Sequence, residues 1–163
     1  EIQDKIIATV MNEKGVLNRK CVGRDAKTLL KMVGVDAPEG TRCIIFEGPK
    51  EHKLISTELM MPILGVVRVK SFEEGVATSV WLEHGNRHSA HIHSKNVDRI
   101  TEYARALDTA ILVKNGPSYA ALGFGGEGFP TFTIASRTGE GLTSAATFTK
   151  RRRCTMSDSL CIR

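Results

Sequence analysis

Between residues 63 and 114 the hydrophobic period alternates between that of a strand and that of a helix, and this restricts the possible folds more than any other feature. Residues 63–70 form a β-branched run with a Val66-Val67-Arg68-Val69 centre, which predicts a strand. Ser71 and Glu74 then have capping-box spacing: the hydroxyl and the carboxylate can each satisfy a backbone N–H left open at a helix start. Phe72, Val76, Ala77 and Val80 are expected to form the buried face of that helix, and Gly85 to end it. Residues 88–93 read as a strand, Asn96 as the cap of a helix carrying Val97, Ile100, Ala104 and Leu107, and residues 109–114 as a strand again. Strands joined by helices long enough to cross over pair in parallel, so the expected fold is α/β: a mainly parallel sheet with helices on both faces.

The flanks fit the same architecture. Ile6, Ile7, Val10 and Met11 share one helical face, and Ala26, Leu29, Leu30 and Val33 repeat the spacing before Gly34. A short strand is expected over residues 42–46, with Cys43 as a small buried hydrophobe inside it. From residue 115 to 128 the chain turns to Gly, Pro, Ser and Ala, a long loop of the kind that carries function. A strand over residues 131–135 and a short helix over residues 141–148 follow, and the polar tail has a weak strand signal at residues 160–162. No internal repeat, linker or low-complexity segment interrupts the sequence.

Composition narrows the class. A chain of 163 residues with 41% hydrophobic and 25% charged residues can bury a core, which excludes a disordered or fibrous protein. Its apolar runs fall well short of the roughly 20 residues of a membrane helix, so no membrane partner is expected. The opening residues Glu1-Ile2-Gln3-Asp4-Lys5 form neither a secretory leader nor a start at Met, and suggest a segment of a longer protein. Cys21, Cys43, Cys154 and Cys161 form no C-x-x-C pair, which points to a reducing cytoplasm rather than a disulfide framework. The net charge of +5 is drawn partly from Lys150-Arg151-Arg152-Arg153. Without aromatics for stacking or a nucleic-acid motif, that run reads as a solvated helix end rather than a nucleic-acid site.

Four stretches together resemble the CoA-acylating aldehyde dehydrogenases of ethanolamine and propanediol utilisation, within the aldehyde dehydrogenase superfamily. They are Glu58-Leu59-Met60-Met61-Pro62, the run from Leu82 to Ala90 containing Gly85-Asn86-Arg87-His88, Lys114-Asn115-Gly116-Pro117-Ser118-Tyr119, and Gly125-Gly126-Glu127-Gly128-Phe129, which continues as Thr131-Phe132-Thr133-Ile134-Ala135 and then Thr138-Gly139-Glu140-Gly141. The likeness covers nearly the whole chain and is strongest from Glu58 to Cys154. It implies the catalytic-domain fold, with residues 1–153 as a C-terminal catalytic segment and residues 154–163 as a tail that adds an oligomerisation strand to a neighbouring subunit.

The resemblance also implies roles for individual residues. Glu58 matches a glutamate that accepts hydrogen bonds from the nicotinamide ribose of NAD; from sequence alone, a solvated first-turn glutamate after Ser56 explains it better. His88 matches a histidine beside the reactive thioester, where an imidazole can take the thiol proton of coenzyme A or orient its sulfur. Alone, it reads as a structural histidine at a turn. His91 and His93 share a strand face, but no carboxylate or cysteine at ligand spacing completes a metal site. Asn115, Gly116 and Pro117, with Gly125 and Gly126, would line the aldehyde and CoA pocket. The glycine cluster is not a dinucleotide fingerprint, because it does not join a strand to a long helix.

The chemistry implied is oxidation of an aldehyde, with NAD and CoA, to acyl-CoA through a cysteine thioester. In the family the nucleophile lies upstream of the point where this sequence starts, and none of the four cysteines matches its surroundings. The isolated chain is therefore expected to be inactive and to bind cofactor weakly without the absent N-terminal dinucleotide-binding domain. Glu58 and His88 would form half of a cleft facing that thiol. The implied setting is the cytoplasm or a bacterial microcompartment, and the implied assembly a homo-oligomer. Two other readings stay open at this point: a non-acylating aldehyde or semialdehyde dehydrogenase, and a non-catalytic binding or assembly module.

Overall fold

The computed structural model describes residues 1–131, 134–135, 141–155 and 157. The chain forms two compact units, Glu1–Leu82 and Glu83–Arg163, although no composition shift marks the boundary.

The first unit begins with α1 (Ile2–Val10) and α2 (Ala26–Met32). Asp25 caps α2 by accepting the Thr28 N–H at 2.7 Å, and Gly34 closes it at a positive φ of 80°. Next come β1 (Ile44–Glu47), the one-turn helix α3 (Lys53–Ser56), β2 (Ile63–Val66) and α4 (Phe72–Glu83). β1 and β2 pair in parallel, Ile44 opposite Ile63 through Glu47 opposite Val66. Alternation along the strands puts Ile44, Phe46 and Ile63 against a core of Ile6, Val10, Met11, Cys21, Leu29, Leu54 and Leu59. The opposite face leaves Ile45, Leu64 and Val66 exposed. The α/β class and parallel pairing are as expected, with helix packing on the core-facing side of this ladder.

Three local expectations fail in this unit. Cys43 is exposed and lies just before β1, outside the ladder, whereas Cys21 is fully buried. β2 ends at Val66, four positions short of the apolar run, because its partner ends at Glu47 before Gly48 and Pro49. In α4 only Thr78 is buried; Ala77 and Val80 are exposed, and Phe72 and Val76 are half-buried. Apolar residues surround this helix instead of lining one face. Its start is nearer to expectation: Ser71 Oγ accepts the Glu74 N–H at 3.2 Å, but Glu74 reaches back to the Lys70 N–H rather than that of Ser71.

The second unit contains β3 (Ser89–Ile92), α5 (Val97–Leu107) and β4 (Ile111–Lys114), a right-sized crossover for a parallel pair. Ser89 lies opposite Ile111 and Ile92 opposite Lys114. Asn96 caps α5 through the Arg99 N–H at 3.1 Å, as its sequence predicts. Among its described residues, Ala90, Leu107, Val113 and Thr143 are buried. A 3-10 turn, Ser118–Leu122, interrupts the glycine-rich loop. β5 (Ile134–Ala135) and β6 (Gly141–Leu142) pair antiparallel, so the expected helix over residues 141–148 is replaced by β6 and a 3-10 turn, Ala145–Phe148. Residues 132–133 and 136–140, including most of the Thr138–Gly141 motif, lie outside the described residues, as do Cys161 and the strand signal at residues 160–162. Among the described residues, no helix is long and apolar enough to cross a membrane.

Candidate functional site

Glu58 lies in the first unit, on the connection between α3 and β2. The helix before it ends at Ser56, so Glu58 follows a helix rather than occupying a first turn. Buried Leu59 anchors the connection in the core, and Met60 turns through a positive φ of 54°. One Glu58 carboxylate oxygen accepts the Met60 N–H at 3.3 Å, while the side chain stays exposed. Its carboxylate retains acceptor capacity for hydroxyl donors such as a cis-diol.

His88 lies in the second unit, on the turn between α4 and β3. Gly85 and Arg87 both take positive φ there, 73° and 54°. Arg87 forms an ion pair with Asp108, the left-handed C-cap of α5, and its carbonyl accepts the Ala110 N–H at 2.9 Å. His88 is thereby held at the start of β3: its N–H donates to Glu83 Oε1 at 3.2 Å, and its carbonyl accepts the Ile111 N–H at 3.1 Å. The imidazole is exposed, with Nδ1 2.8 Å from Ser89 Oγ.

Asn115 stands at the opposite end of the same ladder. Its N–H donates to the Ile92 carbonyl at 2.9 Å, at the far end of β3 from His88. At an ordinary strand rise, the two residues are about 15 Å apart along the strands. Asn115 is left-handed, with φ of 55°, and its side-chain amide clasps Ser94: Oδ1 accepts the Ser94 N–H at 2.8 Å and Nδ2 donates to the Ser94 carbonyl at 2.9 Å. Nearby, Ser118 Oγ lies 3.0 Å from His91 Nε2 and ties the 3-10 turn to β3. His91 has its pKa lowered from the usual 6.5, first because the ring loses hydration and second through the charge of His93. These polar ties fix the exit of Gly116 and Pro117 from β4.

The glycines after this turn have distinct reasons. A Cβ on Gly126 would come within 2.8 Å of the Ala120 carbonyl oxygen, and one on Gly128 would overlap the Ala121 backbone. Their missing side chains let the loop fold back on its own 3-10 turn. Gly125 has open space around it and a φ of 75°, so it is needed for backbone conformation. Among the described residues, no three His, Cys, Asp or Glu side chains gather as a metal site.

Sequence reasoning singled out His88 and Asn115 and included Ser89 and Ser118 in its motifs, but it did not foresee the contacts of His88 with Ser89, Asn115 with Ser94 or His91 with Ser118. Ser89 is the one with an adjacent signal, a hydroxyl immediately after the histidine. Ser94 and Ser118 reach their partners only through the parallel pairing, 21 and 27 positions apart in sequence.

No family model matches the chain. It is 49% identical over 146 residues to the acetylating acetaldehyde dehydrogenase EutE of Salmonella typhimurium, covering 90% of this chain and 31% of that protein. Its structure superposes with a TM-score of 0.90 on a propionaldehyde dehydrogenase from the Clostridium phytofermentans fucose utilisation bacterial microcompartment, at 75% identity over 99% of this chain and 37% of that one. It matches equally well, at a TM-score of 0.90 and 46% identity, a Rhodopseudomonas palustris propionaldehyde dehydrogenase with bound CoA and an acylated cysteine, covering 95% of this chain and 35% of that one. The chain thus spans about a third of the length of the relatives it matches.

Proposed function

We propose, from the premise that this chain belongs to the CoA-acylating aldehyde dehydrogenase family, that it supplies the CoA-side part of an enzyme converting an aldehyde and CoA to acyl-CoA. The observation that supports this most directly is the near-complete match of the chain to acylating relatives, one of them carrying CoA and an acylated cysteine.

In this reading a cysteine outside these residues forms the thioester. A bound nicotinamide cofactor, NAD or NADP, supplies the hydride acceptor. His88 would receive the proton of the CoA thiol as the sulfur attacks the thioester carbonyl, and the bond from that carbonyl to the cysteine sulfur breaks, so that the cysteine leaves as a thiolate. Its exposed ring, held by backbone hydrogen bonds on both sides of the residue, suits a base that must meet an incoming thiol. Glu58 accepts the ribose hydroxyls. Asn115, Gly116 and Pro117, with Gly125 and Gly126, belong to the pocket side of the same reading. Placement in a bacterial microcompartment, a homo-oligomer and an oligomerisation role for residues 154–163 extend the same reading.

The test uses the enzyme containing this segment. It should form NADH or NADPH from aldehyde only with CoA present, and replacing His88 with Gln should slow the CoA-dependent step roughly 100-fold or more while leaving acylation of the cysteine intact. Release of free acid without CoA would assign the protein to a hydrolytic aldehyde or semialdehyde dehydrogenase instead. The isolated chain should form no thioester from aldehyde, cofactor and CoA, and turnover by it would refute the placement of the nucleophile.

A further inference from the structure

Asparagines stand at positions 12, 18, 86, 96 and 115, and only Asn115 is followed by a glycine. In that pair, ring closure of the backbone onto the side chain is least hindered, because residue 116 has no Cβ to crowd the approach of its nitrogen. The reaction needs only water. The Gly116 nitrogen bonds to Asn115 Cγ, the Cγ–Nδ2 bond breaks, and ammonia leaves carrying the proton that the attacking nitrogen gave up. Water then opens the five-membered succinimide at either carbonyl. The products are aspartate, or an isoaspartate whose main chain runs through the former side chain.

The structure holds the two reacting groups differently. Asn115 is exposed, and among the described residues the Gly116 N–H has no hydrogen-bond acceptor, so the attacking nitrogen is not engaged elsewhere. The amide it would attack is engaged twice. Oδ1 accepts the Ser94 N–H at 2.8 Å and Nδ2 donates to the Ser94 carbonyl at 2.9 Å. Attack makes Cγ tetrahedral and expels Nδ2, which breaks this planar, two-point contact. Neither product can remake it: aspartate sets an oxygen where Nδ2 faced the Ser94 carbonyl, and isoaspartate also lengthens the backbone.

We propose that Asn115–Gly116 is a spontaneous modification site, and that the Ser94 clasp slows its conversion to aspartate and isoaspartate in the folded chain. This goes beyond the acylating-enzyme reading and does not depend on it.

The 163-residue chain is incubated at mildly alkaline pH, folded and guanidinium-unfolded, at one temperature. Peptide mapping by mass spectrometry follows the change from amide to carboxylate at each asparagine. Asn115 should convert before the other asparagines in the unfolded chain. In the folded chain it should convert about fivefold more slowly or less, the factor set by two solvent-reachable hydrogen bonds. Earlier conversion of another asparagine in the unfolded chain, or equal rates in the two states, overturns the proposal. Gly116→Ala, whose Cβ would meet Ala120 and Val113 side chains at an ordinary 3.5 Å, should slow conversion in the unfolded chain. An unchanged rate there would show that the nitrogen of residue 116 is not the attacking group. Ser94→Pro removes the N–H that Oδ1 accepts and should raise the folded rate about twofold without altering the unfolded one. A folded Ser94→Pro chain converting at the wild-type rate refutes the clasp. Should that variant not fold, the wild-type chain still decides: in guanidinium below the unfolding range, conversion of Asn115 should rise in step with exchange of the Ser94 N–H, and a rate indifferent to that exchange refutes the clasp equally.

Discussion

Replacing Asn115 separates two contributions that the structure combines in one residue. Its amide makes two hydrogen bonds to the Ser94 backbone, at 2.8 and 2.9 Å, and its own backbone is left-handed at φ of 55°. Asn115→Gly removes the amide but suits the backbone. With water able to reach both Ser94 groups, the loss should be about 1 kcal/mol, from about 0.5 kcal/mol for each bond. Asn115→Ala loses the same bonds and adds the left-handed penalty of a Cβ, about 1 kcal/mol more. Asn115→Asp keeps an acceptor for the Ser94 N–H but sets a carboxylate oxygen against the Ser94 carbonyl, so it should not restore the clasp. Two compact units make a single global unfolding midpoint a poor measure, whereas amide exchange reads local opening. The Ser94 N–H and the β3–β4 ladder amides should exchange about fivefold faster in Asn115→Gly and about 30-fold faster in Asn115→Ala. Equal rates in the two variants would refute the strain argument, and wild-type rates in both would refute the clasp.

Three further outcomes follow from burial and charge. Leu29 is 1% exposed in the core beneath β1 and β2, so Leu29→Ala should cost about 3 kcal/mol, read as lost exchange protection in α1 and α2 while the second unit keeps its own. In the native chain a thiol reagent, followed position by position by mass spectrometry, should modify Cys43 and Cys154 quickly and Cys21 only after unfolding. Cys21 is buried, its Sγ lies 3.6 Å from the Thr9 carbonyl oxygen, and burial raises its thiol pKa. An NMR titration should place His91 below the usual 6.5, because loss of hydration, then the His93 charge, disfavours its charged form. The unfolded chain binds more protons between 6.5 and that lower midpoint. The second unit should therefore keep its full stability above this window and lose some as pH falls through it, a dependence that His91→Asn should remove.

What was legible in the sequence was what a residue settles with its near neighbours. Asn96, Gly34 and Gly85 marked helix ends because capping and left-handed backbone are local matters, and the Ile6, Val10 and Leu29 spacing identified core positions for the same reason. Strand ends were less legible. Val67 and Val69 have strand chemistry, yet β2 stops at Val66 because pairing needs a partner and β1 has already ended. Cys43 failed in the same way: its apolar character suggested burial, but its position one residue before the ladder exposes it. In α4 the apolar spacing of Phe72, Val76, Ala77 and Val80 pointed to the wrong face, since the buried position is Thr78.

The candidate site divides along the same line. Glu58 and His88 could be named from motifs, but they belong to separate units, and no local pattern specifies how a pair of units presents them. The support around each residue depends on contacts that local sequence does not encode. Asn115 illustrates this most clearly. As a motif residue it suggests an amide offered to a ligand, whereas its Oδ1 and Nδ2 are both engaged with Ser94, 21 positions earlier. Any part it takes in a pocket therefore comes through the path it sets for Gly116 and Pro117. Ser89 makes the complementary case, since its sequence neighbour is the histidine it touches, while β3 sets its backbone opposite Ile111. In both cases the sequence names the chemical group, and the parallel ladder decides what lies beside it.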